Sequence, residues 1–590
     1  MQNGRNRLTM KNSHWKLVFI LIMTAGIFNG ILYGYSNNVI NPDESNQVSE
    51  MFSLVNGRGL TIPIAKPIDI SNTISIPLTR FPPGYSILFA LEYLITNNPG
   101  LCDFLLYALG VILFFLAWFF IFEFTEPRLG RLTRLLVGIF WVFFTPSLQA
   151  GAISSHTTEI LSISFLSINI VFSIAVFKHP KWTLLFGALA GIASGLAASM
   201  RTLYWPLIVA TPLALVIIAW RNKEIRREIL FAAIANIFIS GLFVFSMIYF
   251  NWVSTGHMTG YMMNDSGDVI PRLPYSNSIQ WGHLSLIIPF LIFTLGYVDP
   301  SIMRINTAQG FEPPFLLDTR ISWFIFGVLL FAYLYSCFNI LNFSYRSSSL
   351  LFNDKEKEDE MVLSFLSLAG LLICIMTFST IAQTSLLMDL HPFSGGWIPI
   401  MELRYFTPFF SFVFIGAIHT LCTILARLRK SPTLFIGLLP LLLIFVPALL
   451  FTIPSQIKLS YESLTSFKSK PFAVQVYENS TEDILTLINQ HGCKDCPIVV
   501  HVQEPNWGLR SRIWSMGLTY IVTKTPALGR EPRPVSFSTS RTTNVIFAID
   551  SDMDNFIKNN FLNSSSYTSD RHCVNQGQLC LFIMHPSSKK

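Results

Sequence analysis

Runs of about 20 apolar residues recur along this chain, and no other feature constrains its fold as strongly. A run of that length crosses the ~30 Å hydrocarbon layer of a bilayer as a helix. In lipid the backbone must satisfy its own hydrogen bonds, so the runs are predicted as helices. Barrel strands would be shorter and would alternate apolar with polar residues. Of the 590 residues, 51% are hydrophobic and only 13% are charged, against about 25% charged in a typical soluble domain. One soluble core is therefore excluded.

The runs at 15–35, 101–122, 135–153, 160–177, 182–200, 203–220, 229–250, 321–341, 361–382, 405–425 and 434–453 predict about eleven spans. Two shorter runs, 84–95 and 283–297, are predicted as interfacial or re-entrant helices. Parity decides this. Arg128, Arg131 and Arg134, Lys178 and Lys181, Arg221, Lys223, Arg226 and Arg227, and Arg427, Arg429 and Lys430 cluster in short loops. Basic short loops belong inside, and counting either short run as a span would put some of them outside. The loop 344–360 also falls inside, although its DKEKEDE run is acidic. The net charge of +7 is thus a topology signal, and no nucleic-acid partner is expected.

The expected fold is mainly α: a polytopic transmembrane helical bundle over 1–453, with outer loops 36–100 and 251–320, and an extracytoplasmic soluble α/β domain over 454–590. After residue 453 the helix-like EDILTLINQ is followed by the strand-like PIVVHVQ, YIVTKT, NVIFAID and CLFIMH. Cys493, Cys496, Cys573 and Cys580 lie in that region. In an outer domain they suit disulfides, with three pairings open, or a zinc site. Asn479 and Asn563 open glycosylation sequons.

Ionisable residues are scarce in the predicted spans, where His419 is the clearest. They gather instead at one side: Asp43, Glu44, Arg80, His156, Glu159, Arg201, Asp318, Arg320, Glu402 and Arg404. Such a face suits a substrate with a lipid tail in the bilayer and an anionic head at its surface. A transporter or flippase of lipid-linked glycans would need a polar path through the spans. A structural or assembly protein would tolerate loss of the carboxylates. For the acidic pair itself, the plain alternative is a solvated helix N-terminus.

Order along the chain carries more. The first outer loop holds the pair Asp43-Glu44, then Gly57-Arg58-Gly59, then Arg80-Phe81-Pro82-Pro83-Gly84-Tyr85. Ser154 to Glu159, GIASGLAASMR ending at Arg201, Asn251 with Gly256, and Arg404-Tyr405-Phe406-Thr407-Pro408 follow. Together they resemble the GT-C glycosyltransferases of the protein-mannosyltransferase and aminoarabinose-transferase kind. The family more often has Asp where this chain has Glu159.

Arg5, Arg7, Lys11 and Lys16 before an uncleaved first span predict a cytoplasmic N-terminus, and the resemblance implies a polytopic enzyme in a plasma membrane, of bacterial inner-membrane type. It implies an inverting transfer from a polyprenyl-phosphate sugar to a glycan, lipid or protein acceptor. Asp43 is then the general base, Glu44 its positional alternative, and Glu159 a carboxylate that orients the acceptor or shares the proton. Arg201, Arg404 and Arg80 are the phosphate ligands, with His156, Tyr85 and Tyr405 beside the substrate. Snorkelling to the interface is the alternative for the arginines. No cofactor and no metal are expected.

Overall fold

The computed structural model describes residues 12–37, 42–66, 69–79, 81–129, 157–222, 224–258, 260–263, 269–271, 354–383, 461, 498–501, 520–522, 544–548, 567–574 and 579–586. Within these, α1 (Asn12–Asn37) leads to α2 (Pro42–Val55), the hairpin β1 (Thr61–Lys66) and β2 (Asp69–Pro77), and α3 (Gly84–Thr96). Then come α4 (Pro99–Leu129), α5 (Thr157–Lys178), α6 (Thr183–Met200), α7 (Ala210–Arg221) and α8 (Arg226–Thr255). A short hairpin, β3 (Tyr261–Met263) with β4 (Val269–Pro271), and α9 (Asp354–Gln383) complete the helical part.

Five helical stretches among the described residues are long and apolar enough to cross a membrane: Pro99–Phe124, Thr157–Lys178, Pro180–Met200, Thr202–Trp220 and Arg226–Thr255. They match five predicted spans. The predicted spans at 135–153, 321–341, 405–425 and 434–453, and the short run 283–297, lie outside the described residues. The 13 residues of α3 reach only about 20 Å at ~1.5 Å each, too short to span. The span 203–220 begins as 3-10 turns, Thr202–Tyr204 and Pro206–Val209, because Pro206 cannot supply an N–H to a regular α-turn.

Packing separates a lipid face from a protein face. Phe231, Ile234, Phe238, Leu242, Phe245, Tyr249 and Trp252 form an exposed stripe along α8 at helical spacing. On its other side α8 meets α6 through Gly187, Gly191 and Gly195. A Cβ on Gly187 would stand 2.5 Å from the Ala232 carbonyl oxygen, and one on Gly191 2.7 Å from that of Asn236; one on Gly195 would overlap the Phe243 ring. Small residues four apart let two backbones close up, which drives helix association where the hydrophobic effect cannot. Buried amides add to the seam: Asn169 donates to the Ala190 carbonyl (2.8 Å), and Asn236 to the Thr211 hydroxyl (3.3 Å).

Two ends of the bundle can be told apart. At one end Lys178 pairs with Glu358 (2.9 Å) and Asp359 (2.8 Å), tying the end of α5 to the start of α9. Lys16 faces Glu123 there (3.6 Å), at the start of α1 and the end of α4. The acidic run DKEKEDE therefore lies at the same end as the basic α5–α6 connection, as parity predicted. The opposite end carries α2, the β1–β2 hairpin and α3.

Beyond residue 497 the described strands form one sheet in the order β6-β5-β7-β9-β8. They are β5 (Ile498–His501), β6 (Tyr520–Val522), β7 (Asn544–Ala548), β8 (Tyr567–Val574) and β9 (Leu579–Pro586). β5 runs parallel to β6 and β7, and β9 antiparallel to β7 and β8. Strand β1 lies against β6, the edge strand, so the sheet sits at the end that carries the hairpin.

Candidate active site

Three consecutive residues at the start of α5 gather the site. A helix leaves its first N–H groups without intrahelical acceptors, and its N-terminus is electropositive. Here Glu44 from α2 fills that role. Its Oε1 accepts the Thr158 backbone N–H (3.0 Å) and the Thr158 hydroxyl (3.3 Å). The Thr157 hydroxyl donates to Asp103 Oδ1 of α4 (2.7 Å). Glu159 Oε1 stands 2.6 Å from Nη2 of Arg201, just past the end of α6. Thr157, Thr158 and Glu159 thus reach three different elements, and Glu44, Asp103, Glu159 and Arg201 are all buried.

The first outer loop closes over this cluster. Tyr85 donates its phenol proton to the same Asp103 Oδ1 (2.6 Å). Burial, then the charges of Asp103 and Glu44, hold the phenol well above its ordinary value, so it remains a donor. Gly84 permits the approach: a Cβ there would stand 2.5 Å from the Ser199 carbonyl oxygen. Two rungs join α2 to the start of α3. Gln47 Nε2 donates to the Pro82 carbonyl (3.0 Å), and the Ser86 hydroxyl to Glu50 Oε2 (2.5 Å). Burial pushes Glu50 up to about 8, with the Ser86 bond pulling the other way. Glu92 on α3 is raised to about 7, by burial first and by Asp103 second.

Of the residues expected from sequence, Glu44, Glu159, Arg201 and Tyr85 come together. Glu44 is not on a solvated helix start; it is fully buried, which removes the plain alternative for that residue. Glu159 is the third residue of α5 and not part of a loop. Arg201 is inward and paired with Glu159, so it does not snorkel to the lipid surface. Asp43 is the second residue of α2, but its side chain, like Arg80, His156, Arg404 and Tyr405, lies outside the described residues. Asn251 does not open a loop. It is the fifth residue from the end of α8, bonds the Met258 carbonyl (3.3 Å), and leaves the helix to end at Gly256.

Asp103, Glu50 and Thr157 were not singled out in the sequence. Asp103 was visible: it is a lone acid three residues into the predicted span 101–122, and such a residue marks a functional site by default.

No family model matches the chain, and no curated protein does either. Among solved structures the chain is similar to ArnT from Cupriavidus metallidurans, crystallised bound to undecaprenyl phosphate, at 13% identity over 98% of this chain and 99% of that one (TM-score 0.42). It is also similar to the Archaeoglobus fulgidus oligosaccharyltransferase in its apo form, at 12% identity over 98% and 75% of the two chains (TM-score 0.47). The arabinosyltransferase EmbB from Mycobacterium smegmatis matches at 12% identity over 79% and 42% (TM-score 0.31).

Proposed function

We propose that this chain is a membrane glycosyltransferase that moves a sugar from a polyprenyl-phosphate donor to an acceptor at the extracytoplasmic face. The observation that carries the reading is the hub at Thr157-Thr158-Glu159. It brings carboxylates and an arginine from separate elements to one membrane end, in the chain order of the motifs.

In the proposed reaction the acceptor's O–H or N–H attacks the anomeric carbon. The new bond forms as the bond from that carbon to the phosphate oxygen breaks, and polyprenyl phosphate leaves with the electron pair. A carboxylate takes the acceptor's proton, which contributes about 10²–10⁴-fold. Inversion follows from attack opposite the leaving group. We assign the base to Asp43. Glu44, pinned to the start of α5, anchors the first turn of α2 and so sets where Asp43 stands. Glu159 holds Arg201 in a fixed orientation, and the Arg201 guanidinium, with Arg404 and Arg80, serves the donor phosphate through charge-assisted bonds. Residues 454–590 form an accessory domain beside this end.

Asp43→Asn is expected to abolish transfer while leaving insertion and folding intact; a well-folded variant with normal turnover removes the assignment. Mass spectrometry of lipid copurifying with the protein should show a polyprenyl-phosphate sugar. Sidedness is tested separately, with single cysteines at Asn222 and Ser466 in a background lacking the native cysteines. An impermeant reagent should label only the Ser466 site in intact cells.

A further inference from the structure

We propose that Asp103 is a positioning residue for this reaction, fixing where α5 begins and therefore where Glu44 and the Glu159–Arg201 pair stand. The inference rests on the reading above. Asp103 is 1% exposed and lies within an apolar stretch suited to cross the membrane, where an acid is costly and retained for a purpose. Its two recorded donors are hydroxyls of other elements, Tyr85 of α3 and Thr157 of α5. Hydroxyls further along this helix can close locally. Ser162 and Ser167 of α5 donate back to the carbonyls of Thr158 and Ile163, four residues earlier, the local bond such side chains prefer. Thr157, the first residue of α5, instead reaches across to α4.

The consequence is geometric. Thr158 holds Glu44, and Glu159 holds Arg201. A displacement of the start of α5 moves both contacts together, because the three residues are consecutive. Asp103 also bonds Tyr85, which opens α3 two residues after Pro83, so one carboxylate sets the height of α3 and of α5. It touches no reacting atom in this scheme; it acts through Thr157. Charged and titratable groups around it are Glu44, Tyr85 and Glu92.

The test uses full-length protein in native membranes. It reads release of undecaprenyl phosphate from synthetic undecaprenyl-phosphate glucose, mannose, arabinose and aminoarabinose. Thr157→Val removes the donor at nearly constant shape. It should lower kcat by roughly tenfold to a hundredfold, since small misplacements cost that much, and raise the donor KM, because Arg201 moves with the start of α5. Thr157→Ser, which returns the hydroxyl, should restore both constants, and Asp103→Leu, which removes the acceptor of both hydroxyls, should repeat the two changes. Wild-type kcat in Thr157→Val overturns the inference. So does a loss that follows the folded fraction in a thermal melt, with kcat per folded molecule unchanged. If the wild type releases undecaprenyl phosphate from none of the four, the transferase reading fails first and the inference with it.

Discussion

The two short helices of the first outer loop reverse what their compositions suggest. α2 is polar, yet Glu44, Asn46, Gln47, Ser49, Glu50 and Ser53 are buried beside Val48 and Met51, while Phe52, Leu54 and Val55 are only half-buried. α3 is apolar, yet Leu91, Leu94 and Ile95 are 59%, 69% and 86% exposed. The exposed positions of α3, with Ile87, recur at helical spacing on one side. Tyr85, Ser86, Phe89 and Ala90 occupy the other. The difference shows which medium each helix answers to. The exposed apolar face of α3 is what an interfacial helix would present to lipid tails. α2 buries most of its described polar side chains against protein, several of them in hydrogen bonds to α3 and α5.

Breaking the anchor of α3 should have the largest effect. Gly84→Val forces a branched side chain into the Ser199 carbonyl. Overpacking of that kind costs about 1–3 kcal/mol. A clear fall in melting temperature, together with loss of transfer, is expected in purified protein. A normal melt would mean that α3 does not depend on this contact.

Charging α2 comes next. Glu50 is raised to about 8, so its protonated form is the one the fold favours. The stability it contributes is complete below its unfolded value near 4.5 and is lost as pH rises through about 8. Wild-type protein should melt lower at pH 9 than at pH 6, and Glu50→Gln should lose most of that dependence. An unchanged slope in Glu50→Gln would place the titrating group elsewhere, with Glu92 the next to examine.

Cutting one rung between the two helices should do less. Gln47→Leu removes the donor to the Pro82 carbonyl, worth about 0.5–1.5 kcal/mol net. It should cost a few degrees at most. The smallest effect is expected on the lipid side of α3, where Leu94→Ala should barely move the melt. Labelling by a carbene dissolved in the bilayer should still reach Leu91 and Ile95 but not Phe89. Labelling of Phe89 would undo the assignment of faces.

Much of the bundle was legible because its elements announce themselves by length. The stretches near 101–122, 160–177, 182–200 and 229–250 are long apolar runs, and α3 stands out as a short one. Strands β5, β6 and β7 follow β-branched runs, and β9 an apolar one. β8, YTSDRHCV, was missed: it is an edge strand, and an edge needs no apolar alternation. Its register sets Cys573 opposite Cys580. The site was half legible. Glu44, Glu159 and Arg201 could be read from motif order. The partnership of Thr157 with Asp103 could not, because it joins positions 54 residues apart through a hydroxyl that carries no periodic signal. Glu50 was hidden by the same inversion that distinguishes α2: a polar helix reads as wet.

The glycine seam between α6 and α8 has one more implication. Gly187, Gly191 and Gly195 let the two backbones touch without intervening side chains, and Arg201 stands just past the end of α6. In the reaction proposed above, the height of Arg201 follows from where this seam sets the end of α6. A lipid-tethered head group rides up or down with the thickness of the membrane around it, so under that proposal bilayer thickness becomes a variable to which the protein must be matched.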